Sequence, residues 1–210
     1  MVIAFDVDGT VLDTFDHIRA TYIEVFEKYI PDYKYTEEQI KSFFGPPLPD
    51  TFMSIVGDIE RTNFLVDKYR EISIKNMHKY LKVFPGIIDA LEHFRKNGYK
   101  LAVVSNKLKA AILDGFEIVG ITKYFDYIIG YDSVTNPKPD PEGIRKIEEH
   151  FNDKCILVGD SIFDIETGKN ANIITVGVTW ALTSKEQLQN AGADYVIDNI
   201  EELIEIVKEL

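Results

Sequence analysis

Short apolar runs rich in valine and isoleucine alternate with longer amphipathic segments, and this alternation constrains the fold more than any other feature. Five runs are clear and a sixth is weaker: residues 2–5, 101–104, 127–129, 155–158 and 173–178, with the weaker run at 194–197. Continuous apolar runs of this length are typical of strands that are buried on both faces of a parallel sheet.

Helical patterns lie between most of these runs, with apolar residues at the spacing of one helix face. They cover residues 86–96, 108–119, 141–151 and 200–210. Regular alternation of strands and helices predicts an α/β fold with a doubly wound, Rossmann-like parallel sheet and right-handed crossovers.

Residues 14–81 interrupt the alternation, because they contain helical patterns and no convincing strand. One apolar helix face runs from Ile18 to Tyr29, and Thr36 with Gln39 has the spacing of a capping box at a helix start. We therefore predict two domains. Residues 1–13 and 84–210 form the core, and residues 14–83 form a small all-helical cap inserted after the first strand.

Charge and cysteine content restrict the possible functions. The net charge of −12 is not offset by any basic cluster, which argues against nucleic acid or an anionic membrane as a partner. The single cysteine, Cys155, cannot form an internal disulfide, and its apolar run predicts a buried core position. No apolar run is long enough to cross a bilayer and no signal peptide is evident, so we expect a cytoplasmic protein. No segment indicates an oligomer interface.

Polar side chains follow the apolar runs at the points where ligands bind in open parallel sheets, beyond the carboxyl ends of the strands. The first run is followed by Asp6, Asp8, Gly9 and Thr10, the second by Ser105, Asn106 and Lys107, and the fourth by Asp160, Ser161 and Asp164, while Lys138 lies in a loop between the third and fourth. Each residue alone has an ordinary interpretation as a turn, cap or loop residue. Together, at one edge of a sheet, they predict a functional site.

The residue types at this edge suit phosphate chemistry. Asp6, Asp8 and Asp160 offer the hard oxygen ligands that Mg²⁺ prefers. Ser105 and Lys138 can hold phosphoryl oxygens by hydroxyl and by charge.

Two further expectations complete this interpretation. The backbone amides around Gly9, Thr10 and Asn106 are expected to form an anion-binding nest. The four histidines have no ligand spacing and are expected to be at the surface or partly packed: His17, His78, His93 and His150.

These residues resemble, in the correct order, the four motifs of the haloacid dehalogenase superfamily of phosphatases. Residues 5–14 resemble its first motif, residues 104–106 the second, Lys138 the third, and residues 159–164 the fourth. The resemblance implies a Mg²⁺-dependent phosphatase of the phosphoglycolate phosphatase-like branch, with a helical cap between the first two motifs.

The resemblance also implies roles for the first-motif carboxylates. Asp6 would be the nucleophile that forms an aspartyl-phosphate, and Asp8 would protonate the leaving oxygen and then activate water. Asp6, the backbone carbonyl of Asp8 and Asp160 would bind Mg²⁺.

The remaining motif residues would support this chemistry. Ser105 and Lys138 would hold the phosphoryl group, with Lys138 also pairing with Asp6. Asp164, beside Ser161, would act near the metal, either through water or as an orienting group.

The cap segment around Gly45 and Pro46 resembles the substrate-specificity loop of phosphoglycolate phosphatases, pyrophosphatases and 5′-nucleotidase-like relatives. A plain Gly-Pro turn is the alternative interpretation. Thr167 and Asn172 depart from the alanine and glycine usual in relatives, and both are expected on the helix after the fourth motif.

The predicted substrate is a small phosphorylated metabolite such as phosphoglycolate, pyrophosphate or a nucleoside monophosphate. One alternative is a sugar-phosphate mutase, which would use the same core. Another is a non-catalytic phospho-aspartate switch, which Asp8 and the helical insert argue against. Asp8 also argues against carbon dehalogenation, because members with that activity lack this second carboxylate.

Overall fold

A six-stranded parallel sheet organises the computed structural model, which describes residues 1–210. The strands of the chain are β1 Val2–Phe5, β2 Leu12–Asp13, β3 Lys82–Val83, β4 Lys100–Val104, β5 Tyr127–Ile129, β6 Cys155–Gly159, β7 Ile174–Val178 and β8 Tyr195–Ile197. The large sheet has the order β5-β4-β1-β6-β7-β8, and β2 pairs with β3 in a separate two-stranded sheet. All six predicted strands are confirmed, including the weaker run that forms β8.

The chain divides into two compact units. The larger comprises Met1–Asp13 and Val83–Leu210, and the smaller comprises Thr14–Lys82. The identification of the smaller unit as a cap domain stays a prediction.

From β3 onwards, the helices of the larger unit alternate with the strands. They are α5 Ile87–Lys96, α6 Lys109–Val119, α7 Glu142–Phe151, α8 Ile162–Ala171, α9 Lys185–Asn190 and α10 Glu201–Glu209. Helix α9 was not predicted, although Ser184 and Gln187 form a capping box at its start. Buried side chains of β1, β4 and β6 pack against α7, and Cys155 belongs to this core, as predicted. Burial raises the pKa of its thiol.

The smaller unit is entirely helical and has an aromatic core. Its helices are α1 Phe15–Tyr29, α2 Glu37–Ser42, α3 Leu48–Val56 and α4 Ile59–Tyr80. Tyr22 of α1 contacts the rings of Phe26, Phe52 and Tyr69. The capping box predicted at Thr36 is confirmed. No helix of either unit is long and apolar enough to span a membrane.

The expectation for His17 is wrong. Its side chain is buried in the smaller unit, where Nε2 lies 3.1 Å from the Ser73 carbonyl oxygen and 3.0 Å from its hydroxyl. Helix α4 supplies these partners from a distant part of the sequence, so the spacing around His17 carries no sign of them.

The placement of Asn172 on a helix is also wrong. Helix α8 ends at Ala171, and Asn172 follows it with a left-handed backbone, φ 56°. Glycine and asparagine are the residues that adopt this conformation at helix ends. The substitution of asparagine for the usual glycine is therefore compatible with the local backbone.

Candidate active site

A tight turn after β1 fixes the first two carboxylates. The N–H of Asp6 donates to Val158 O (2.9 Å), which extends the pairing of β1 with β6 by one residue. The chain then folds back, and Val7 O accepts from the N–H groups of Val11 (3.0 Å) and Leu12 (2.9 Å). Asp6 is buried as a result, while Asp8 is partly exposed at the same edge of the sheet.

The turn also supports Asp160, which follows β6. Gly9 has φ 83°, and a Cβ atom at this position would overlap the Asp160 carboxylate. The Thr10 hydroxyl donates to Asp160 Oδ1 (2.8 Å). The absence of a side chain at Gly9 therefore lets the Asp160 carboxylate pack against the turn, and the Thr10 hydroxyl orients that carboxylate.

The expected amide nest is not formed by Gly9 and Thr10 in this structure. The Gly9 N–H donates to Leu12 O (2.9 Å), and the Thr10 N–H donates to Val7 O (3.3 Å). Both N–H groups are already hydrogen-bonded inside the turn and do not point to an anion. The assignment of Gly9 and Thr10 to phosphate binding stays a prediction.

Lys138 enters the site from the loop before α7 and is buried between two carboxylates. Its Nζ lies 3.0 Å from Asp6 Oδ1 and 2.6 Å from Asp164 Oδ1. Burial by itself would lower the pKa of Lys138, but the charges of Asp164 and Asp6 outweigh it and raise the pKa. Lys138 is therefore a permanent cation at the centre of the site.

Asn106 holds the backbone of Lys138 in place. The Lys138 N–H donates to Asn106 Oδ1 (2.9 Å), and Asn106 Nδ2 donates to Lys138 O (3.2 Å). The preceding residue, Ser105, is buried at the end of β4, and its hydroxyl forms a hydrogen bond with Asp6 that opposes the rise in pKa caused by burial of that carboxyl.

Asp164 lies in the first turn of α8 and uses both of its oxygens. Oδ1 accepts from Lys138, and Oδ2 accepts from the N–H (3.0 Å) and hydroxyl (2.6 Å) of Ser161, in a capping box. A Cβ atom on Gly159 would overlap the Asp164 carboxylate, so glycine is required here too. This geometry makes Asp164 an anchor for Lys138.

Three carboxylates form a cluster whose donor set fits a hard metal cation. Oxygens of Asp6, Asp160 and Asp164 lie within 4.8 Å of one another. Burial, followed by the charges of Asp164 and Asp6, raises the pKa of Asp160 well above its usual value. Burial likewise raises the pKa of Asp6 to about 6, against the opposing charge of Lys138. The negative charge therefore exceeds what Lys138 neutralises, and a bound divalent cation would relieve it.

Two side chains at this edge were not predicted as site residues. Lys107 Nζ lies 2.8 and 3.1 Å from the two carboxylate oxygens of Asp8. Trp180, after β7, donates from Nε1 to Thr10 O (3.1 Å). The sequence places Lys107 at a strand end, directly after Ser105 and Asn106, but gives it no role. The contact of Trp180 with the turn is not visible in the sequence.

The structure thus brings together every predicted site residue of the larger unit. Gly45 and Pro46 belong to the smaller unit, between α2 and α3, where Gly45 has φ 100°. Their assignment as a substrate loop stays a prediction.

Comparisons with known proteins agree with this architecture. The sequence profile of haloacid dehalogenase-like hydrolases matches residues 3–178. The pyrophosphatase PpaX of Listeria monocytogenes is 35% identical over 208 residues, which are 98% of this chain and 95% of that protein. The structure of a predicted phosphatase from Clostridium acetobutylicum has 29% identity and a TM-score of 0.87, covering 100% of this chain and 98% of its own.

A predicted phosphoglycolate phosphatase from Haemophilus somnus shares the fold, with a TM-score of 0.89 at 20% identity and coverage of 98% and 97% of the two chains. The profile match covers most of the chain, and the phosphatase relatives cover nearly all of it. The chain therefore belongs to the haloacid dehalogenase-like hydrolases and is a phosphatase of that superfamily.

Proposed function

We propose that this protein is a Mg²⁺-dependent phosphatase that hydrolyses a small phosphorylated metabolite through an aspartyl-phosphate on Asp6. The observation that carries the proposal is the position of Asp6. It is buried at the end of the central strand, 3.0 Å from the Lys138 ammonium and within 4.8 Å of two further carboxylates. A carboxylate held beside a cation and a metal-binding cluster is suited to attack phosphorus.

Each side chain then has a defined part. Asp6 attacks the phosphorus atom, and Ser105 and Lys138 bind the phosphoryl oxygens. Asp8 donates a proton to the leaving oxygen and, in the second half-reaction, accepts one from the water that cleaves the aspartyl-phosphate. Asn106 positions Lys138 from the backbone side.

Asp6, the backbone carbonyl of Asp8 and Asp160 would hold Mg²⁺. The bound cation would neutralise phosphoryl charge and orient the phosphate. We assign Asp164 and Ser161 to the positioning of Lys138, because both Asp164 oxygens are engaged in hydrogen bonds.

Three substrate classes suit the site: pyrophosphate, phosphoglycolate-like monoesters and nucleoside monophosphates. The name of the Listeria relative supports pyrophosphate. The segment with Gly45 and Pro46 would contribute to the choice among them from the smaller unit.

The test is turnover of an aryl phosphate with Mg²⁺ and with excess chelator, in the wild-type enzyme and in Asp6→Asn. Turnover that requires Mg²⁺ and disappears in Asp6→Asn is expected. Asp114→Asn, which removes an exposed carboxylate of α6, is the matched control and should keep full activity.

Either of two outcomes would contradict the proposal and indicate a different function. Transfer of phosphate within a hexose phosphate, without release to water, would indicate a mutase. A phosphorylated protein that persists for many minutes would indicate a phospho-aspartate switch.

A further inference from the structure

Lys107 makes an ion pair that the proposed hydrolysis does not require. Its Nζ contacts both carboxylate oxygens of Asp8, at 2.8 and 3.1 Å. The two side chains are 14% and 23% exposed, so they lie at the accessible edge of the site while Lys138 is buried within it. The site therefore has two cations at different depths.

The depth of each cation indicates which part of a substrate it meets. Lys138 lies beside Asp6, where the transferred phosphoryl group must bind. Asp8 must contact the leaving oxygen if it is to protonate it, and Lys107 lies one hydrogen bond beyond Asp8. A second cation at that point is placed for the leaving group.

From this geometry, and resting on the proposed function, we infer that Lys107 binds the leaving group and selects substrates whose leaving group carries its own negative charge. Phosphate, as in pyrophosphate, and a carboxylate, as in phosphoglycolate, are such groups. A neutral alcohol would leave the ammonium without an anionic partner other than Asp8.

The balanced step for pyrophosphate shows what Lys107 contributes. A bond forms between an Asp6 carboxylate oxygen and one phosphorus atom, and the bond from that phosphorus to the bridging oxygen breaks. The electron pair of the broken bond passes to the bridging oxygen, which takes the proton of Asp8 and departs as part of inorganic phosphate. The departing phosphate still carries its own negative charge, and Asp8 becomes a carboxylate, so a fixed cation beside both stabilises the products of this step.

The test compares each substrate that has a charged leaving group with a neutral partner substrate whose leaving group has similar basicity. Pyrophosphate is paired with 4-nitrophenyl phosphate, and phosphoglycolate is paired with 2-hydroxyethyl phosphate, which also releases an alkoxide but lacks the carboxylate. 4-Nitrophenyl phosphate releases 4-nitrophenolate, which is about as weakly basic as phosphate. This leaving group carries no charge of its own before the bond breaks. The enzymes are the wild type, Lys107→Met, Lys107→Arg and the control Lys109→Met, which removes the same charge two residues along the chain.

We expect Lys107→Met to lower kcat/KM on the better charged substrate by roughly tenfold to a hundredfold more than on its neutral partner substrate, the range of a charge-assisted hydrogen bond. Lys107→Arg should restore much of this ratio, and Lys109→Met should leave it unchanged. Turnover of 4-nitrophenyl phosphate by each variant shows that the variant is folded.

Equal losses on both kinds of substrate would overturn the inference and reduce Lys107 to a residue that positions Asp8. A wild-type enzyme that hydrolyses 4-nitrophenyl phosphate but neither charged substrate would also overturn it. Both results leave the proposed function intact, whereas a wild-type enzyme without any Mg²⁺-dependent turnover overturns the proposed function itself.

Discussion

Lys138 joins Asp6 to Asp164 across the sheet edge: its Nζ lies 3.0 Å from one carboxylate and 2.6 Å from the other. Asp6 follows β1, and Asp164 lies in α8 after the neighbouring strand β6. Because the side chains of all three residues are almost completely buried, the ion pairs are shielded from solvent. The same contacts therefore stabilise the fold and place a cation beside the proposed nucleophile.

Lys138→Met should lower both stability and activity. Removal of the ammonium leaves two buried carboxylates without their partner, and breaking a buried pair in this way costs about 3–5 kcal/mol of unfolding free energy. Turnover should fall at least about a hundredfold, since a phosphate-binding cation is lost. Denaturant unfolding and steady-state kinetics measure the two effects.

Lys169→Met is the control for Lys138→Met. Lys169 pairs with Asp194 at 3.1 Å, but both side chains are well exposed, 45% and 37%. Exposed pairs of this kind contribute about 1 kcal/mol or less. Similar losses of unfolding free energy in the two variants would contradict the prediction that the buried ion pairs of Lys138 contribute more to stability than an exposed pair does.

Without Mg²⁺, the carboxylate cluster should make the protein less stable as the pH rises. The pKa of Asp6 is about 6 in the folded protein, against an ordinary value of 3.8. Between these values the native state binds more protons than the unfolded state, so the free energy of unfolding decreases as the pH increases. The loss is complete above the folded pKa and is about 3 kcal/mol for Asp6. The raised pKa of Asp160 acts in the same direction.

Saturating Mg²⁺ should reverse this trend, because the cation neutralises the cluster in place of protons. Stabilisation by Mg²⁺ should therefore be larger at about pH 8 than at about pH 5. Unfolding curves at the two pH values, with Mg²⁺ and with chelator, give the four free energies required. Asp6→Asn should remove a large part of the metal-free pH dependence, and an unchanged dependence in that variant would contradict the assignment to Asp6.

Gly9→Ala should weaken metal binding, whereas an alanine at a glycine of similar backbone conformation elsewhere should not. The new Cβ atom would overlap the Asp160 carboxylate and displace a proposed metal ligand. Gly120→Ala is the matched control, because Gly120 also has a positive φ, 73°, but has no atom within 4 Å of an added Cβ. Both variants should lose about 1–2 kcal/mol of stability from the left-handed backbone.

The two glycine variants should differ in their response to Mg²⁺. Activity measured against Mg²⁺ concentration should require at least about tenfold more Mg²⁺ in Gly9→Ala, a loss of roughly 1.4 kcal/mol. It should be unchanged in Gly120→Ala. Equal Mg²⁺ requirements in the two variants would show that metal binding by Asp160 does not depend on the absence of a side chain at Gly9.

The parts of the fold visible in the sequence are those with local causes. Apolar runs predicted all six sheet strands, because buried parallel strands need continuous apolar residues. The same logic placed Asp6, Ser105 and Asp160 at one edge of the sheet, since the carboxyl ends of parallel strands meet there.

Long-range partners were the features that could not be predicted. His17 is buried because Ser73 lies across the helical unit, and Trp180 contacts Thr10 from a distant strand end. Neither contact can be recognised from hydrophobic periodicity or from amino-acid composition. Lys107 differs from these two residues: the sequence places it at the strand end after Ser105 and Asn106, but only the structure shows that its ammonium contacts Asp8.

Trp180 should report on phosphorylation of the site, because it is the only tryptophan of the chain and its Nε1 donates to Thr10 O at 3.1 Å. The Thr10 hydroxyl in turn holds Asp160. Any change in the turn on phosphoryl binding is therefore transmitted to the indole hydrogen bond, and its emission should change. We expect a change in fluorescence when Mg²⁺ and beryllofluoride, a mimic of an aspartyl phosphoryl group, are added to the wild type.

Asp6→Asn should give no such change, because it lacks the carboxylate that binds the mimic. Trp180→Phe should remove the signal and, through the lost hydrogen bond of about 1 kcal/mol, lower kcat/KM roughly fivefold. If beryllofluoride with Mg²⁺ inhibits turnover by the wild type while its emission stays constant, the link from Trp180 through Thr10 to the site does not operate.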